Sequence, residues 1–234
     1  MGIYVNKFGT NTDVDAAEDI WDGGGTYAWP SAAAATTIVS SSTDDDGDPA
    51  GTGAQTVKVY GLDSNWLMIS ETVTMNGTGA VTLENQYLRV FRAHTVAVGS
   101  GAVNAGNIQV KHGATVLAQI TAGKGQTLMA LYTIPADFAQ AEIRKWYASI
   151  AVKISTGAEM ELMTRTDGEG WRVREVFGIT EANPGLWEPG TAGEGEPVRG
   201  IIVPPKTDVR VRAASVAAVN TVIASGYQIK LQEV

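Results

Sequence analysis

The sequence predicts an all-β protein: a jelly-roll or Greek-key β-sandwich with an extended acidic N-terminal arm. Small and β-branched residues (Gly, Ala, Thr, Ser and Val) are abundant, and such residues favour pleated strands and tight turns. From about residue 55 onward, apolar and polar residues alternate with a period of two. Turn residues separate the alternating segments, and no long helical pattern comes between them, which argues against an α/β fold.

The first strand candidates surround an Asn76-Gly77 dipeptide. Residues 55–62 and 66–75 precede it, and residues 80–98 follow it. Because Asn-Gly between alternating segments is the strongest short signal of a β-hairpin, we expect a hairpin here. The later strand candidates, most of them bounded by Gly- or Pro-rich turns, are residues 107–112, 115–120, 126–134, 143–154, 159–165, 171–177, 200–204, 208–216 and 226–234.

Two longer segments share one pattern. Residues 131–150 and 200–217 each run as an apolar strand, a proline, a short polar corner and a long amphipathic strand. Matching corners are typical of Greek-key and jelly-roll sandwiches, in which strands repeatedly turn over at the same end. Helical patterns are confined to residues 15–21 and 135–143, and both are too short to define the fold.

The charge is concentrated near the N-terminus. The first 50 residues carry nine acidic side chains against Lys7 alone, whereas the rest of the chain has 16 acidic and 16 basic residues. The nine acids are Asp13, Asp15, Glu18, Asp19, Asp22, Asp44, Asp45, Asp46 and Asp48. A charge run of this kind indicates an exposed arm or, alternatively, a docking strip for a basic partner. We therefore expect an extended arm over residues 1–50 and a β-sandwich over residues 51–234, with a possible division into two packed β subdomains near residue 122.

Several classes of function are disfavoured by composition. The pI of about 4.8 and the lack of a basic patch argue against nucleic-acid binding. The chain has no cysteine, so disulfides and thiolate sites are excluded. No apolar run approaches the roughly 18 residues of a membrane helix, and no secretory h-region is visible. We expect a soluble protein that is made in a cytoplasm and does not bind a membrane.

Motifs for catalysis or cofactor binding are also missing. The two histidines, His94 and His112, have no G-x-S-x-G nucleophile motif or zinc-ligand spacing to accompany them. The Gly-Lys of residues 122–127 lacks the other residues of a phosphate-binding loop, so we interpret it as a turn. We therefore predict no enzyme activity, no catalytic or metal-binding residues and no cofactor.

The segment from residue 40 to residue 51 resembles a calcium loop in part. Ser42, Asp44, Asp46 and Gly47 match the first, third, fifth and sixth positions of an EF-hand. The twelfth position, where a bidentate Glu is required, is Gly53. An EF-hand is excluded, and a looser calcium-ordered loop over residues 44–48 stays open.

Taken in chain order, these segments resemble virion structural proteins of tailed bacteriophages. The resemblance runs from about Asn11 to Gln232 and includes "NTDVDAAEDIWDGGGTYAWP", "GTGAQTVKVYGLDSNW", "ISETVTMNGTGAV", "YLRVFRAHTVAVGSGAVNAGNIQV" and "GQTLMALYTIPA". It implies a β-sandwich protein on the outside of the head, or at the neck or tail, with no catalytic residues to transfer. Among these places, a cysteine-free β domain best fits a capsid decoration or cement protein on the outer shell, whose many weak contacts symmetry multiplies.

This interpretation assigns the interface to aromatic anchors. Trp21, Tyr27 and Trp29 flank or follow three glycines in the arm, and Trp187 lies in a long Gly/Pro/Glu-rich loop. Buried aromatic residues carry most of the binding energy of many interfaces. The expected partners are the major capsid protein and further copies of the chain, for which a trimer is one arrangement. Deleting residues 1–30 is then expected to leave a folded sandwich that no longer attaches to the shell.

Two alternatives from other classes stay open. A head-fibre, neck or tail protein with a role in host recognition would use Trp66, Trp171 or Trp187 as a platform for sugars. A polysaccharide-degrading virion enzyme would use a carboxylate pair such as Asp167 and Glu169. A decoration protein predicts a high copy number on the particle. A recognition protein predicts a low copy number and glycan binding, and an enzyme predicts glycan cleavage.

Overall fold

The computed structural model describes residues 2–150, 157–189 and 200–233. In these ranges the chain forms antiparallel sheets and no helix, which confirms the all-β prediction. The two predicted helical turns are wrong. Residues 15–21 contain only a two-residue strand, and a long strand begins at Phe138 inside the second segment.

The chain divides into two compact units. Unit 1 comprises Met1–Thr26 and Met129–Val234, and unit 2 comprises Tyr27–Leu128. These bounds differ from the predicted boundaries at residue 50 and near residue 122. The reason is that the N-terminal segment is not a separate arm, because strand β1 (Gly2–Val14) pairs with the C-terminal strand from Gly2↔Gln232 to Val14↔Thr221.

The expected result of the N-terminal deletion is therefore corrected as well. Removing residues 1–30 would delete β1 and β2 (Glu18–Asp19) from unit 1. Val14 and Ile20, which would be lost with them, are both fully buried. A chain without these residues would lack part of its core, so its failure to attach would not identify an anchor.

Unit 1 contains two antiparallel sheets. Its other strands are β10 (Leu131–Thr133), β11 (Phe138–Ile150), β12 (Gly157–Thr166), β13 (Arg172–Thr180), β14 (Gly185–Trp187), β15 (Ile201–Val203), β16 (Thr207–Val216) and β17 (Thr221–Glu233). The first sheet has the order β1-β17-β11-β14, with β15 also paired to β11. The second sheet has the order β10-β16-β12-β13, with β2 also paired to β16.

The strand pairs of unit 1 are nested along the chain. The outermost pair is β1 with β17, and inside it β2 and β10 pair with β16. Next, β11 pairs with β14 and β15, and the innermost pair is β12 with β13. Unit 1 is thus one long hairpin of strand pairs, in which successive pairs alternate between the two sheets.

The two sheets pack face to face around Trp146 of β11. This side chain is fully buried, and its ring stacks on Phe177 of β13 with 3.9 Å between the ring centroids. Its indole N–H donates to Ser225 Oγ at 3.1 Å. From β17, Tyr227 donates its hydroxyl to the Val209 carbonyl of the other sheet at 3.3 Å. Period-2 alternation brings the apolar side chains of both sheets into this core.

Unit 2 is a contiguous segment that also contains two sheets. Its strands are β3 (Ala34–Ser40), β4 (Ala54–Leu62), β5 (Met68–Thr74), β6 (Val81–Tyr87), β7 (Arg89–Val98), β8 (Ile108–His112) and β9 (Thr115–Ile120). The strand orders are β6-β3-β8-β9 and β5-β4-β7. At one seam between the sheets, the Glu71 carboxylate of β5 accepts a hydrogen bond from the Glu84 N–H of β6 at 3.0 Å.

Asn76-Gly77 forms a turn, but the predicted hairpin is wrong. Strand β5 pairs with β4, whereas β6 pairs with β3, so the turn carries the chain from one sheet to the other. The Gly77 backbone bonds to the end of β3 and to the loop that follows it: its N–H donates to the Asp45 carbonyl at 2.8 Å and its carbonyl accepts from the Ser40 N–H at 3.1 Å. Gly77 has a φ of 52°, in the left-handed region that favours glycine.

We predict that Trp146→Ala lowers the free energy of unfolding of unit 1 by about 3–5 kcal/mol, because it removes a fully buried ring and leaves a cavity. Urea denaturation followed by circular dichroism measures the loss. Lys145→Ala is the matched control on the same strand, since it removes only an exposed ion pair with Glu188 and is expected to cost less than about 1 kcal/mol. Equal losses for the two variants would contradict the central role of Trp146.

Candidate interaction surface

Two of the predicted interface anchors, Trp21 and Tyr27, are buried within the chain itself. Their side chains are 4% and 3% exposed. The Trp21 indole N–H donates to the Gly25 carbonyl at 3.1 Å, and a Cβ at Gly23 would lie 2.3 Å from the Trp21 ring. The glycine run therefore wraps closely around this ring. Both aromatic side chains are thus covered by the chain's own residues, and the interface role predicted for them stays a prediction.

Trp29 and Trp187 are half-buried. Trp29 packs edge-to-face on Tyr27 with a centroid distance of 4.9 Å, and the Arg89 guanidinium lies 5.5 Å from its ring centroid. Trp187 belongs to the short strand β14, where it is the register partner of the buried Trp146. Both side chains pack against other residues of the chain. The interface role predicted for them stays a prediction.

Arginine side chains lie against the tryptophans considered as sugar platforms. The Arg89 guanidinium is 5.1 Å from the ring centroid of Trp66, which is only 9% exposed. Arg165 and Arg210 lie 4.8 Å and 4.0 Å from the ring centroid of Trp171. Cation–π contacts of this kind use the ring faces on which a sugar would stack.

The arginines next to Trp171 belong to a buried ionic network. Arg165 donates to the Asp208 carboxylate at 2.6 Å, and Arg210 lies 3.4 Å from the Asp19 carboxylate. Burial lowers the pKa of Arg210, and the Asp19 charge opposes this shift. Asp208 also accepts a hydrogen bond from the Thr133 hydroxyl at 2.6 Å. The network joins β2, β10, β12 and β16 of the second sheet, which indicates a structural role.

Asp167 and Glu169, the candidate hydrolytic pair, are both exposed in the β12–β13 turn. The Glu169 carboxylate pairs with Arg172 at 3.2 Å, and the Asp167 N–H donates to the Lys206 carbonyl at 3.0 Å. A glycoside hydrolase needs its two carboxyl groups on either side of the bond that it cleaves. The hydrolytic role of this exposed pair stays a prediction.

The acidic loop is organised by one buried carboxylate, that of Asp45, which is fully buried. Its Oδ1 accepts from the N–H groups of Ala54 and Ala105, both at 2.7 Å. Its Oδ2 accepts from the Gly106 N–H at 2.8 Å and from the Ser40 hydroxyl at 2.5 Å. Four donors occupy the lone pairs that a cation would need.

The structure explains why residue 53, where an EF-hand would need a glutamate, is a glycine. A Cβ there would lie 2.2 Å from the Asp45 carboxylate. Among the described residues, no group of three or more His, Asp or Glu side chains is placed to hold a metal ion. The geometry of this loop therefore supports a hydrogen-bonded corner in place of the calcium site that the sequence left open.

The two histidines lie in unit 2. His94 stacks on Tyr60 with a centroid distance of 5.6 Å, and burial together with the charges of Arg92 and Lys58 lowers its pKa. His112 Nε2 lies 3.0 Å from the Thr36 hydroxyl, and burial lowers its pKa too. In both cases the surroundings favour the neutral imidazole over the charged form.

The most distinctive exposed feature is a line of residues across the outer face of the first sheet in unit 1. Register places Phe8 of β1, Gly226 of β17, Tyr147 of β11 and Leu186 of β14 side by side. We call these four residues the apolar row. The side chains of Phe8, Tyr147 and Leu186 are 41%, 42% and 58% exposed. Three large, mainly apolar side chains are thus exposed along one row of the sheet, with Gly226 between Phe8 and Tyr147.

Because Gly226 has no side chain, the Tyr147 ring can lie against the backbone of the neighbouring strand. A Cβ at Gly226 would lie 2.5 Å from the Tyr147 hydroxyl and 2.7 Å from Cζ of the ring. The neighbouring register positions are polar: Gln228 donates to Asn6 at 3.0 Å, and Lys145 pairs with Glu188 at 2.8 Å. An apolar centre with a polar rim is typical of protein interfaces.

Sequence reasoning missed the apolar row, although one signal was present. Trp146 and Tyr147 are adjacent in a strand, so they must point to opposite faces of the sheet. One of these two aromatic side chains therefore had to project away from the core. The other members of the row could be found only from strand register.

The described part of the chain contains no helix with the length and hydropathy that a membrane-spanning segment needs.

Comparison with known proteins provides no family assignment. No protein-family model matches the chain, and no curated protein matches it. Two solved structures similar to it are from infectious bursal disease virus. The Gx strain structure has 10% identity and a TM-score of 0.25, over 99% of this chain and 72% of that chain. The VP2 subviral particle has 10% identity and a TM-score of 0.24, over the same shares. TM-scores this low carry no argument about fold or function.

We predict that Asp45→Asn lowers the free energy of unfolding of unit 2 by about 3 kcal/mol, because an amide NH₂ would face N–H donors and the charge that they stabilise would be lost. Denaturant unfolding measures the change. The matched control is Asp44→Asn in the same loop, where the side chain is exposed and a change within about 0.5 kcal/mol is expected. Similar losses for both variants would contradict the assignment.

Acid should destabilise unit 2 through its histidines. Because both pKa values lie below the ordinary value of about 6.5, the unfolded state binds protons first as the pH falls. The free energy of unfolding is therefore expected to fall between about pH 7.5 and about pH 5.5. A His94→Gln, His112→Gln double variant should lose less stability over this interval. An unchanged pH dependence in the double variant would sink the prediction.

Proposed function

We propose that the chain is a virion structural protein of a tailed bacteriophage, a capsid decoration or cement protein that binds the outer shell. The resemblance of its strand and turn segments to such proteins supports the virion assignment. The observation that carries the decoration assignment is the apolar row, which presents Phe8, Tyr147 and Leu186 on one sheet face. Its proposed partners are the major capsid protein and other copies of the chain.

We also propose that unit 1 is a jelly roll. A jelly roll arises when a long antiparallel hairpin wraps so that its strand pairs alternate between two sheets. The nested pairs from β1–β17 to β12–β13 follow this scheme, with four strand positions in each sheet. Unit 2 is then an insertion between β2 and β10, which occupy the same edge of β16.

The apolar row suits attachment through many weak contacts. Phe8 and Tyr147 have few rotatable bonds and stand on paired strands, so little conformational entropy is lost when a partner covers them. One row of this size supports only modest affinity by itself. On a symmetric shell the same contact repeats at every site, and copies that also contact one another gain avidity.

A second candidate is a head-fibre, neck or tail protein that recognises host carbohydrates. Arginines lie on the ring faces of Trp66 and Trp171, so stacking on these tryptophans does not favour it. A recess lined by residues of β12, β13, β15 and β16 does favour a carbohydrate-binding role. Copy number separates the two candidates, since a shell protein is present at on the order of hundreds of copies per particle and a neck or tail protein at about six or twelve.

We predict that the purified chain cosediments with empty shells of the phage that encodes it, and that a Phe8→Ser, Leu186→Ser double variant binds at least about tenfold more weakly. Both side chains are exposed, so little stability should be lost. The matched control is Val173→Ser, Val176→Ser, which removes two side chains of similar exposure from β13 of the other sheet.

Quantitative gel analysis of the pelleted shells measures bound copies. Saturation at hundreds of copies supports a shell protein, and saturation at a dozen or fewer contradicts it. If the β13 variant loses as much binding as the row variant, the apolar row is not the attachment surface.

A further inference from the structure

A recess of about 190 Å³ opens between the two sheets of unit 1. Strand β15 and the residue after it form one wall, and β12, β13 and the start of β16 form the other. The lining residues are Thr164, Thr166, Glu169, Arg172, Arg174, Ile202, Val203, Pro204 and Thr207. The open end of a β-sandwich or barrel is a common position for small-molecule sites.

An irregularity in the sheet places a cation at this recess. The pairing of β12 with β13 runs from Leu162↔Glu175 directly to Met163↔Val173, so Arg174 is the extra residue of a β-bulge. A bulge redirects the side chain of its extra residue, and bulges are frequent next to binding sites. Arg172 and Arg174 both line the recess, and two like charges in one recess favour the binding of an anion.

The charges of the lining do not balance. Arg172 pairs with Glu169 at 3.2 Å. Arg174 has no ion-pair partner among the residues that the structure describes. One guanidinium, with its planar fork of donors, is therefore available to a carboxylate or phosphate ligand.

The remaining walls are neutral and of two kinds. Thr164, Thr166 and Thr207 contribute hydroxyl groups, and Thr164 and Thr207 are only 5% and 1% exposed. Thr207 donates to the Thr166 hydroxyl at 3.3 Å, and each of these groups can also accept a hydrogen bond. The opposite wall, Ile202 to Pro204, is apolar.

We propose that this recess binds one carboxylate-bearing pyranose, a uronic or sialic acid residue of an acidic polysaccharide. The Arg174 fork binds the carboxylate, the threonine hydroxyls bind the ring hydroxyls, and the C–H face of the ring lies on Ile202 to Pro204. A recess of about 190 Å³ holds a single sugar and is smaller than the sites of drug-sized ligands. The proposal does not depend on shell attachment, because the recess and the apolar row share no residue.

The test is a titration of the full chain, labelled with ¹⁵N, with glucuronate, galacturonate and N-acetylneuraminate. Neutral glucose and inorganic phosphate serve as comparison ligands. We expect at least one acidic sugar to shift the amide resonances of Thr164, Thr166 and Thr207, and to bind about tenfold more tightly than glucose and than phosphate.

Arg174→Gln is expected to abolish this preference for the acidic sugar while leaving the thermal unfolding curve unchanged, since the side chain is exposed. Arg92→Gln, an exposed arginine of unit 2, is the matched control and should bind as the unaltered chain does. The proposal is overturned if no acidic sugar binds more tightly than glucose, if phosphate binds as tightly as the sugars, or if Arg174→Gln retains the preference.

Discussion

The pairing of β1 with β17 is the contact on which unit 1 depends. It runs from Gly2↔Gln232 to Val14↔Thr221, with one register shift between Asn11 and Val14, and along the sequence it encloses the other strand pairs described in the unit. Such a contact closes a very long loop, which costs conformational entropy. The other strand contacts of the sheet must offset this loss. Unit 2 is contiguous from Tyr27 to Leu128 and needs no contact with the C-terminus. We therefore expect unit 2 to fold first during synthesis and unit 1 to complete only when β17 is available.

Unit 2 depends on a constraint of another kind. The chain has no cysteine, and a single buried carboxylate holds its long loops together. Asp45 receives hydrogen bonds from the ends of β3 and β4 and from the loop before β8, which are far apart in the sequence. Each of these donors would otherwise need its own partner, because unpaired buried polar groups are costly. One aspartate therefore ties both ends of the β3–β4 loop to the loop before β8, and the close approach of its carboxylate explains why Gly53 has no side chain.

The two proposed functions of unit 1 use different surfaces of the same unit. The apolar row lies on an outer sheet face, where paired strands hold Phe8 and Tyr147 rigidly for contact with another protein. The recess at Arg174 is lined by residues of both sheets next to a β-bulge, and it has room for a small ligand. Such a division is physically economical, because neither surface uses the core around Trp146.

The sequence by itself determined the all-β class and most strand positions, because period-2 alternation is a local property of a half-buried strand. It did not reveal β1, β2, β3 or β14. Strand β1 is rich in polar residues and contains Gly9, and the acidic residues that follow it suggested a free arm. Only the tertiary structure decided that this segment pairs with β17, that unit 2 interrupts unit 1, and which aromatic residues are exposed. Trp21 and Tyr27 are covered, whereas Phe8 and Tyr147 project from a sheet face. Alternation separates the two faces of a strand, but which face is buried depends on the strands and sheets that pack against it, and those partners come from distant parts of the chain.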